Sequence, residues 1–288
     1  MNFVEKFLSY LKFERNFSEY TIIGYKNDLM DFFKVVNKTV SDVKLDDLHD
    51  YLKYLYDRKF SNSTVSRRIS SLKSFFKYLY NEGVIDNNVL ELIGSPKKEK
   101  KLPNYLNYDD LDKLLNTPDL GTVDGVRDAL ILELLYSTGI RVSELCNIRM
   151  QDIDFSDKKI LIFGKGSKER YTYFGIKCEN LMRNYIENVR TLNGDFLLQN
   201  KHGNKLNERL VRQYVANNLK KSGVSVAVSP HTLRHTYATH MLNDGADLKS
   251  VGDLLGHENL STTQIYTHVS NERLRNVYLN CHPRAKKR

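Results

Sequence analysis

Apolar residues in the first ninety positions recur at the three- and four-residue spacing of amphipathic helices. The pattern predicts four helices that begin near Phe3, at Ser18, near Leu48 and at Asn62. The last of them ends at Gly83, a residue type that favours the left-handed conformation after a helix. Short polar segments separate the helices, so we expect a small helical bundle.

The pattern changes after this bundle. Residues 94–104 contain two prolines, several lysines and no apolar period, which predicts a linker between two domains. Its lysines would either lie across the phosphates of a polyanion or form a solvated tether, and the sequence leaves both open. We therefore expect an N-terminal domain over residues 1–93, the linker, and a second domain over residues 105–288.

The second domain is predicted to be mostly helical with one β element. Lys159–Phe163 and Arg170–Phe174 have the composition of strands, and a glycine-rich tip joins them as a hairpin. Helical patterns follow at Lys177–Leu192, Asn207–Lys220, Thr232–Asn243 and Leu248–Leu255, and a last segment runs from Thr262 toward Asn280. The predicted fold class is mainly α, with a small β-hairpin or sheet.

The net charge and the composition indicate which kinds of partner the protein can have. The net charge of +9 indicates a polyanion, with nucleic acid first among them. The three cysteines are far apart and odd in number, which favours reduced thiols over a disulfide framework or a zinc site. The N-terminus reads as an amphipathic helix, and the longest apolar stretch, residues 129–136, is too short to cross a bilayer. We expect no membrane association.

Two segments carry groups suited to binding a phosphate. His231 and Arg234 lie three residues apart at a helix start, hence on one face, where backbone amides also favour anions. Arg141 follows a glycine break inside an apolar stretch and so needs an anionic partner. Glu144 would be that partner, or would orient the guanidinium for a phosphate. Because there is no HExxH motif and no tight acidic cluster, we expect no metal.

Other candidates lie in turns and near the end of the chain. Lys165 stands between two glycines at the hairpin tip, from where it can reach a leaving oxygen, whereas Lys168 and Arg170 fit contacts to backbone phosphates. His257 follows a glycine break at a helix end, and Tyr266 comes nine residues later. Taken singly, each has an ordinary structural explanation, and Tyr266 is one of 18 tyrosines.

Taken together, these residues form an ordered set. In chain order they are Arg141, Lys165, His231, Arg234, His257 and Tyr266. With the stretches TGIRVSEL, HTLRHTYATHML and LLGHENLSTTQIYTH, the set resembles the tyrosine recombinases, the lambda-integrase-like family, over the whole chain. The tail NERLRNVYLNCHPRA further resembles the Xer branch. The resemblance implies a SAM-like core-binding domain followed by a catalytic domain.

The resemblance assigns a role to each member of the set. Arg141 and Arg234 would clamp the scissile phosphate, and His231 and His257 would hydrogen-bond it. His231 would also assist proton transfer from the nucleophile.

The remaining roles concern the bond that breaks. Tyr266 would attack and form a 3′-phosphotyrosine, while Lys165 would protonate the 5′-oxygen. Glu144 would support these groups without touching the phosphate. Because the covalent link conserves the bond energy, no ATP, metal or other cofactor is expected.

Polar residues on two N-terminal helices are candidates for contacting DNA. Such faces read grooves and grip phosphates, although a solvated helix face has the same composition. The candidates are Thr21, Tyr25, Asn62, Ser63, Thr64, Arg67, Arg68, Lys73 and Lys77. The resemblance implies double-stranded DNA held in a C-shaped clamp between the two domains.

The Xer resemblance also implies a biological setting. We expect a cytoplasmic, nucleoid-associated enzyme that resolves chromosome dimers at a dif-like site. It would form a tetramer on two DNA sites, with or without a paralogue and a translocase activator. The last helix, with an apolar set from Val269 to Leu279, would dock on a neighbouring protomer, and docking on its own domain is the alternative.

Three other functions compete with this interpretation. A mobile-element integrase of the same family usually carries an extra arm-binding domain. A type IB topoisomerase shares the chemistry but not the synapsis of specific sites, and the N-terminal bundle and the Xer-like tail argue against it. A catalytically silent DNA-binding protein would not need the complete set of six residues.

Overall fold

A computed structural model describes residues 3–92, 104–164, 169–190, 194–200, 202–256 and 271–285. The chain divides into two compact units, residues 1–101 and residues 102–288. Within the described ranges, no helix has both the length and the apolar character needed to cross a membrane.

The first unit is the helical bundle that the apolar pattern predicts. Its helices are α1 (Phe3–Phe13), α2 (Glu19–Val36), α3 (Leu45–Asp57) and α4 (Asn62–Asn81), with short 3-10 turns at Val40–Asp42 and Val89–Leu92. Ser18 and Ser61 cap α2 and α4, because each side chain accepts a hydrogen bond from the backbone amide three residues later. The predicted stripe of α4 is fully buried against the other helices: Val65, Ile69, Leu72, Phe76 and Leu79.

The second unit is built around one central helix. Its helices are α5 (Tyr108–Leu115), α6 (Val123–Thr138), α7 (Val142–Asn147), α8 (Ile176–Asn188), α9 (Glu208–Ser222), α10 (Pro230–Asn243), α11 (Leu248–Leu255) and α12 (Asn271–Cys281). Nearly every residue of α6 from Ala129 onward is buried, and the helix packs against α8 and α10. A helix that is apolar on all sides belongs in the centre of a domain.

A small antiparallel sheet accompanies these helices. Its strands are β1 (Ile153–Asp154), β2 (Lys159–Phe163) and β3 (Glu169–Tyr173), in the order β1-β2-β3. The predicted hairpin is confirmed, with β2 paired to β3, but β3 begins and ends one residue earlier than expected. The two-residue strand β1 was not predicted, because it is too short to show an alternating pattern.

The C-terminal helix α12 lies against its own unit. Tyr278 is fully buried and its ring stacks on His282, with the ring centres 4.9 Å apart. The Tyr173 hydroxyl donates a 2.7 Å hydrogen bond to the carbonyl of Asn271. Beyond the helix, a guanidinium nitrogen of Arg284 lies 3.3 Å from the buried carboxylate of Glu133. These contacts anchor both ends of the segment.

The expected docking of α12 on a neighbouring protomer stays a prediction. In the single chain the alternative, docking on its own domain, is what the structure has. Within the apolar stripe, Tyr278 is fully buried, Leu274 and Val277 are partly buried against the same core, and Leu279 is exposed. Residues after the helix add further anchors: the backbone of Arg284 passes so close to Gly175 that a Cβ there would lie 2.0 Å from the Arg284 carbonyl oxygen.

Candidate active site

A glycine turn places Arg141. Helix α6 ends at Thr138, and Gly139 adopts the left-handed conformation with φ of 61°. A Cβ at Gly139 would lie 2.7 Å from both the Leu255 and the Tyr237 side chains, so no larger residue fits without displacing the surrounding side chains. The turn leaves Arg141 at the N-cap position of α7, with 39% of its side chain exposed.

Glu144 is the anionic partner that Arg141 was expected to need. Its carboxylate accepts 2.8 and 2.9 Å hydrogen bonds from the backbone amide and a guanidinium nitrogen of Arg141. The side chain is only 4% exposed, and this burial by itself raises the pKa of Glu144. Hydrogen bonds and charge from Arg170 and then Arg141 outweigh the burial, so that the pKa lies below its ordinary value of 4.5. The carboxylate is therefore ionised.

Helix α10 carries His231 and Arg234 as the sequence predicts. Ser229 caps the helix, and His231 is exposed in its first turn. Arg234 is only 8% exposed, and two of its guanidinium nitrogens donate to the carbonyls of Gly139, at 2.5 Å, and Leu255, at 2.6 Å. Burial, followed by repulsion from Arg141, lowers the pKa of Arg234 to about 10, so it is still a cation at neutral pH.

Three arginines meet at the C-terminal end of α11. The carbonyls of Leu254, Leu255 and Gly256 accept hydrogen bonds from three different side chains: Arg170 at 3.1 Å, Arg234 at 2.6 Å and Arg141 at 3.3 Å. The last carbonyls of a helix have no partner within it and lie at the negative end of its dipole, so they attract cations. We refer to Arg141, Arg170 and Arg234 as the arginine cluster.

The arginine cluster has an excess of positive charge. Among the described residues, Glu144 is the one carboxylate that pairs with its members, and it pairs with Arg141 and Arg170. Arg234 donates to backbone carbonyls, so the three guanidiniums have one anion among them. Like charges this close are stable only with further anionic partners, and the backbone carbonyls supply only partial charges. The arrangement is suited to binding a phosphate, whose oxygens would occupy the donors still facing outward from Arg141.

Four predicted site residues fall outside the described residues: Lys165, Lys168, His257 and Tyr266. Three of them directly adjoin a described residue. Gly256, which accepts a hydrogen bond from Arg141, directly precedes His257. Gly164 and Glu169 flank the segment that contains Lys165 and Lys168. In the part of the chain that the structure describes, no group of three or more His, Cys, Asp or Glu residues is arranged to hold a metal ion.

The chain matches two family models. Residues 104–273 match the model described as "Phage integrase family", and residues 4–83 match "Phage integrase, N-terminal SAM-like domain". The chain belongs to the phage integrase family. Within it, the chain is a site-specific tyrosine recombinase of the Xer branch, an enzyme that breaks and rejoins DNA, because its relatives are full-length matches. The predicted family and fold class are thereby confirmed.

Those relatives are similar along their whole length. "Tyrosine recombinase XerC" of Staphylococcus aureus (strain bovine RF122 / ET3-1) is 48% identical, over 98% of this chain and 97% of the relative. "Tyrosine recombinase XerC" of Anoxybacillus flavithermus (strain DSM 21510 / WK1) is 45% identical over 97% of both. A lambda integrase tetramer bound to a Holliday junction is 19% identical with a TM-score of 0.74, over 93% of this chain and 80% of that one, which supports the fold.

In the N-terminal unit of the recombinase, an ion-pair network holds two of the predicted DNA-contacting residues. Arg67 donates to the carboxylate of Asp28, which is 3% exposed. Arg68 donates to Asp31 and lies over the ring of Phe60, with 4.5 Å from its guanidinium carbon to the ring centre. The interpretation of Arg68 as a DNA contact is therefore corrected, because its guanidinium is engaged inside the unit.

The side chains of the predicted DNA-contacting residues in this unit differ in how exposed they are. Thr21 and Thr64 hydrogen-bond the capping serines, and the ring of Tyr25 packs between Phe7 and Phe17. Lys73 is partly buried. The candidates whose side chains are exposed on the helix faces are Asn62, Ser63, Arg67 and Lys77.

The sequence interpretation missed the position of Arg170. We expected it to contact backbone phosphates, but its guanidinium pairs with Glu144 and its side chain is 13% exposed. No signal in the sequence indicated this position, since Arg170 and Thr172 alternate with Tyr171 and Tyr173 and therefore look like the polar face of the strand. In the structure Thr172 is fully buried and donates to the carbonyl of Thr138, which places Arg170 on the same inward face.

Proposed function

We propose that this recombinase cuts one DNA strand with Tyr266 and holds the break as a 3′-phosphotyrosine. The observation that carries the proposal is the convergence of Arg141 and Arg234 on the last carbonyls of α11, beside an unbalanced positive charge. The two arginines would bind the non-bridging oxygens and stabilise the pentacoordinate transition state. Tyr266 follows this helix end by ten residues, counted from Gly256.

The other members of the set complete the reaction. His231, exposed in the first turn of the helix that carries Arg234, would hydrogen-bond the phosphate and assist proton transfer from Tyr266. His257 would bind the same phosphate from the end of α11. Lys165 would give its proton to the departing 5′-oxygen. Rejoining would reverse these steps with the 5′-hydroxyl of the exchanged strand.

We further propose that the substrate is a dif-like site and that the reaction resolves chromosome dimers during segregation. The two XerC relatives, each matched over nearly its full length, support this assignment. The enzyme would act in the cytoplasm on the nucleoid, as a tetramer across two duplex sites. The tetrameric lambda integrase on a Holliday junction shows that this fold supports such an assembly. A paralogue and a translocase activator are further partners we propose.

A covalent-adduct assay tests the proposed nucleophile. Full-length protein is incubated with a nicked suicide substrate that contains the dif site of the host, and the adduct is separated under denaturing conditions. Tyr266→Phe should abolish the adduct and retain DNA binding, because only the hydroxyl is removed. Tyr105→Phe is a matched control at an exposed tyrosine of the same unit. Adduct formation by the Tyr266 variant, or strict dependence on magnesium, would contradict the proposal.

A substrate with sulfur at the 5′-bridging position tests Lys165. The thiolate leaves without receiving a proton, so Lys165→Ala should cleave this substrate at nearly the wild-type rate and fail on normal DNA. Lys168→Ala is the matched control: as a contact to a backbone phosphate, Lys168 should affect cleavage of both substrates by the same factor. Equal defects of Lys165→Ala on both would show that the residue does not act as the acid.

A further inference from the structure

Arg170 uses its guanidinium entirely within the protein. Two of its nitrogens donate side by side to the two carboxylate oxygens of Glu144, at 3.0 and 2.8 Å. The third nitrogen donates to the carbonyl of Leu254 at 3.1 Å. The side chain lies against Gly256, where a Cβ would come within 3.1 Å of it. A paired, planar fork of this kind is the most directional contact that an arginine makes.

These contacts connect three separate parts of the chain. Arg170 belongs to β3, Glu144 belongs to α7, and Leu254 belongs to the last turn of α11. The same Glu144 carboxylate also binds the backbone and the guanidinium of Arg141. The same helix end binds Arg141 and Arg234. The two acceptors that hold the Arg141 guanidinium, the Glu144 carboxylate and the Gly256 carbonyl, therefore belong to residues that Arg170 contacts. Of the two acceptors that hold Arg234, the Leu255 carbonyl directly follows the Leu254 carbonyl that Arg170 binds.

We propose that Arg170 is a positioning residue for strand cleavage and does not bind DNA. It holds Glu144 and the end of α11 in register, so that Arg141 and Arg234 present their free donors to one phosphate. The proposal rests on the proposed function of those two arginines.

Loss of Arg170 would act through its partners. Without its fork, the Glu144 carboxylate is free to turn toward Arg141 alone, and the end of α11 loses its link to β3. A displacement of about 1 Å at a reacting centre can cost about a hundredfold in rate. We therefore expect Arg170→Gln to slow cleavage by roughly ten- to a hundredfold.

The first experiment separates positioning from phosphate contact. Half-site affinity and its salt dependence are measured alongside single-turnover adduct formation on a nicked substrate. Arg170→Gln should leave the affinity and the salt slope at their wild-type values and lower only the cleavage rate. A lost phosphate contact would instead weaken binding and reduce the salt slope by about one.

Arg170→Lys provides a second discriminator. Lysine keeps the charge and would preserve a phosphate contact, but it lacks the planar fork that grips both Glu144 oxygens. We expect cleavage by Arg170→Lys to be as slow as by Arg170→Gln. Arg183→Gln is the matched control, because Arg183 also donates two nitrogens to a carboxylate, that of Glu179, away from the arginine cluster. This variant should cleave like the wild type.

A neutral substrate excludes a purely structural role. A methylphosphonate at the scissile position removes the charge that Arg141 and Arg234 would neutralise. If Arg170 acts through them, the ratio of wild-type to Arg170→Gln cleavage rates should be several-fold smaller on methylphosphonate than on phosphate. A fold defect lowers both rates equally, whatever fraction of the protein is active.

Three results would overturn the positioning role. They are equal rate ratios on the two substrates, rescue by lysine, and weaker binding with a reduced salt slope. Failure of the proposed function would look different, because the wild-type protein itself would then form no adduct.

Discussion

The two units of this recombinase balance the charge of their paired arginines in opposite ways. In the N-terminal unit, Arg67 and Arg68 are matched by two carboxylates, those of Asp28 and Asp31. In the catalytic unit, Arg141 and Arg170 share the single carboxylate of Glu144, and the guanidinium of Arg234 donates to backbone carbonyls. Charge is balanced in the first network and in excess in the second.

This difference in charge balance indicates which of the two arginine networks is suited to binding a ligand. In a balanced ion-pair network the charges neutralise one another, so removing one member lowers the free energy of unfolding. Burial, followed by repulsion from Arg141, lowers the pKa of Arg234, so its charge is unfavourable there until an anion binds. The networks can therefore be told apart by what is lost when one arginine of each is removed.

The largest effect is expected when one arginine is removed from each network. Arg234→Gln should lower the cleavage rate by roughly a hundred- to a thousandfold, the loss typical of one transition-state donor. Its free energy of unfolding should change little, because a repelling charge is also removed. Arg68→Gln should instead destabilise the protein by about 3 kcal/mol and spare cleavage by the folded fraction. Adduct kinetics and urea denaturation, run on both variants, measure the two quantities. A large stability loss for Arg234→Gln would remove the contrast.

Gly139 offers a test of how the arginine cluster is assembled. Gly139→Ala should destabilise the protein by about 2–4 kcal/mol, since the new Cβ meets Leu255 and Tyr237 and the left-handed φ is also unfavourable. Gly223 is the matched control, because it has a φ of 71° and nothing within 4 Å of a Cβ. Gly223→Ala should therefore cost only about 1 kcal/mol. Similar losses for both variants would mean that packing at Gly139 adjusts easily.

An added oxyanion probes the excess charge directly. Phosphate that binds the folded arginine cluster with a Kd of about 10 mM would stabilise it by roughly 1.4 kcal/mol at about 100 mM. The rise in Tm with phosphate, compared with chloride of equal ionic strength, should be lost in Arg234→Gln and kept in Arg68→Gln. An equal rise in all three proteins would indicate a general salt effect.

The smallest effect concerns how the contribution of Glu144 to stability depends on pH. The pKa of Glu144 is lowered in the folded state, so its contribution to stability is complete above the unfolded value of about 4.5. That contribution is lost as the pH falls through the lower folded pKa. Glu144→Gln should flatten the acid side of the stability profile and leave its slope above pH 6 unchanged. Unaltered acid sensitivity would show that Glu144 is not held as an anion.

Local patterns were sufficient for much of the fold. The α4 stripe and the caps at Ser18 and Ser61 follow from spacing and from residue type within a few positions, and the structure has them. The β2–β3 pairing was also predictable, because strand composition flanks a glycine-rich tip. The strand β1 was not predictable, because its two residues are too few to show an alternating pattern.

In the candidate site, too, contacts between residues close in sequence were predictable and contacts between distant residues were not. Arg141 and Glu144 could be paired from sequence, since one helical turn separates them. Arg170 could not be assigned to Glu144, which lies 26 positions earlier, and it was taken for a phosphate contact. Likewise, nothing in the local pattern of α12 distinguished docking on its own unit from docking on a neighbour.

By itself, the sequence determined the family, the helical character of both units and the ordered set of chemical groups, because these reside in side-chain types and short spacings. Only the tertiary structure decided that Arg141, Arg170 and Arg234 meet at one helix end. The acceptors that gather them are the carbonyls of Gly139, Leu254, Leu255 and Gly256, and every residue has a carbonyl. Which carbonyls face an arginine depends on how distant helices pack, and that is set by the whole core.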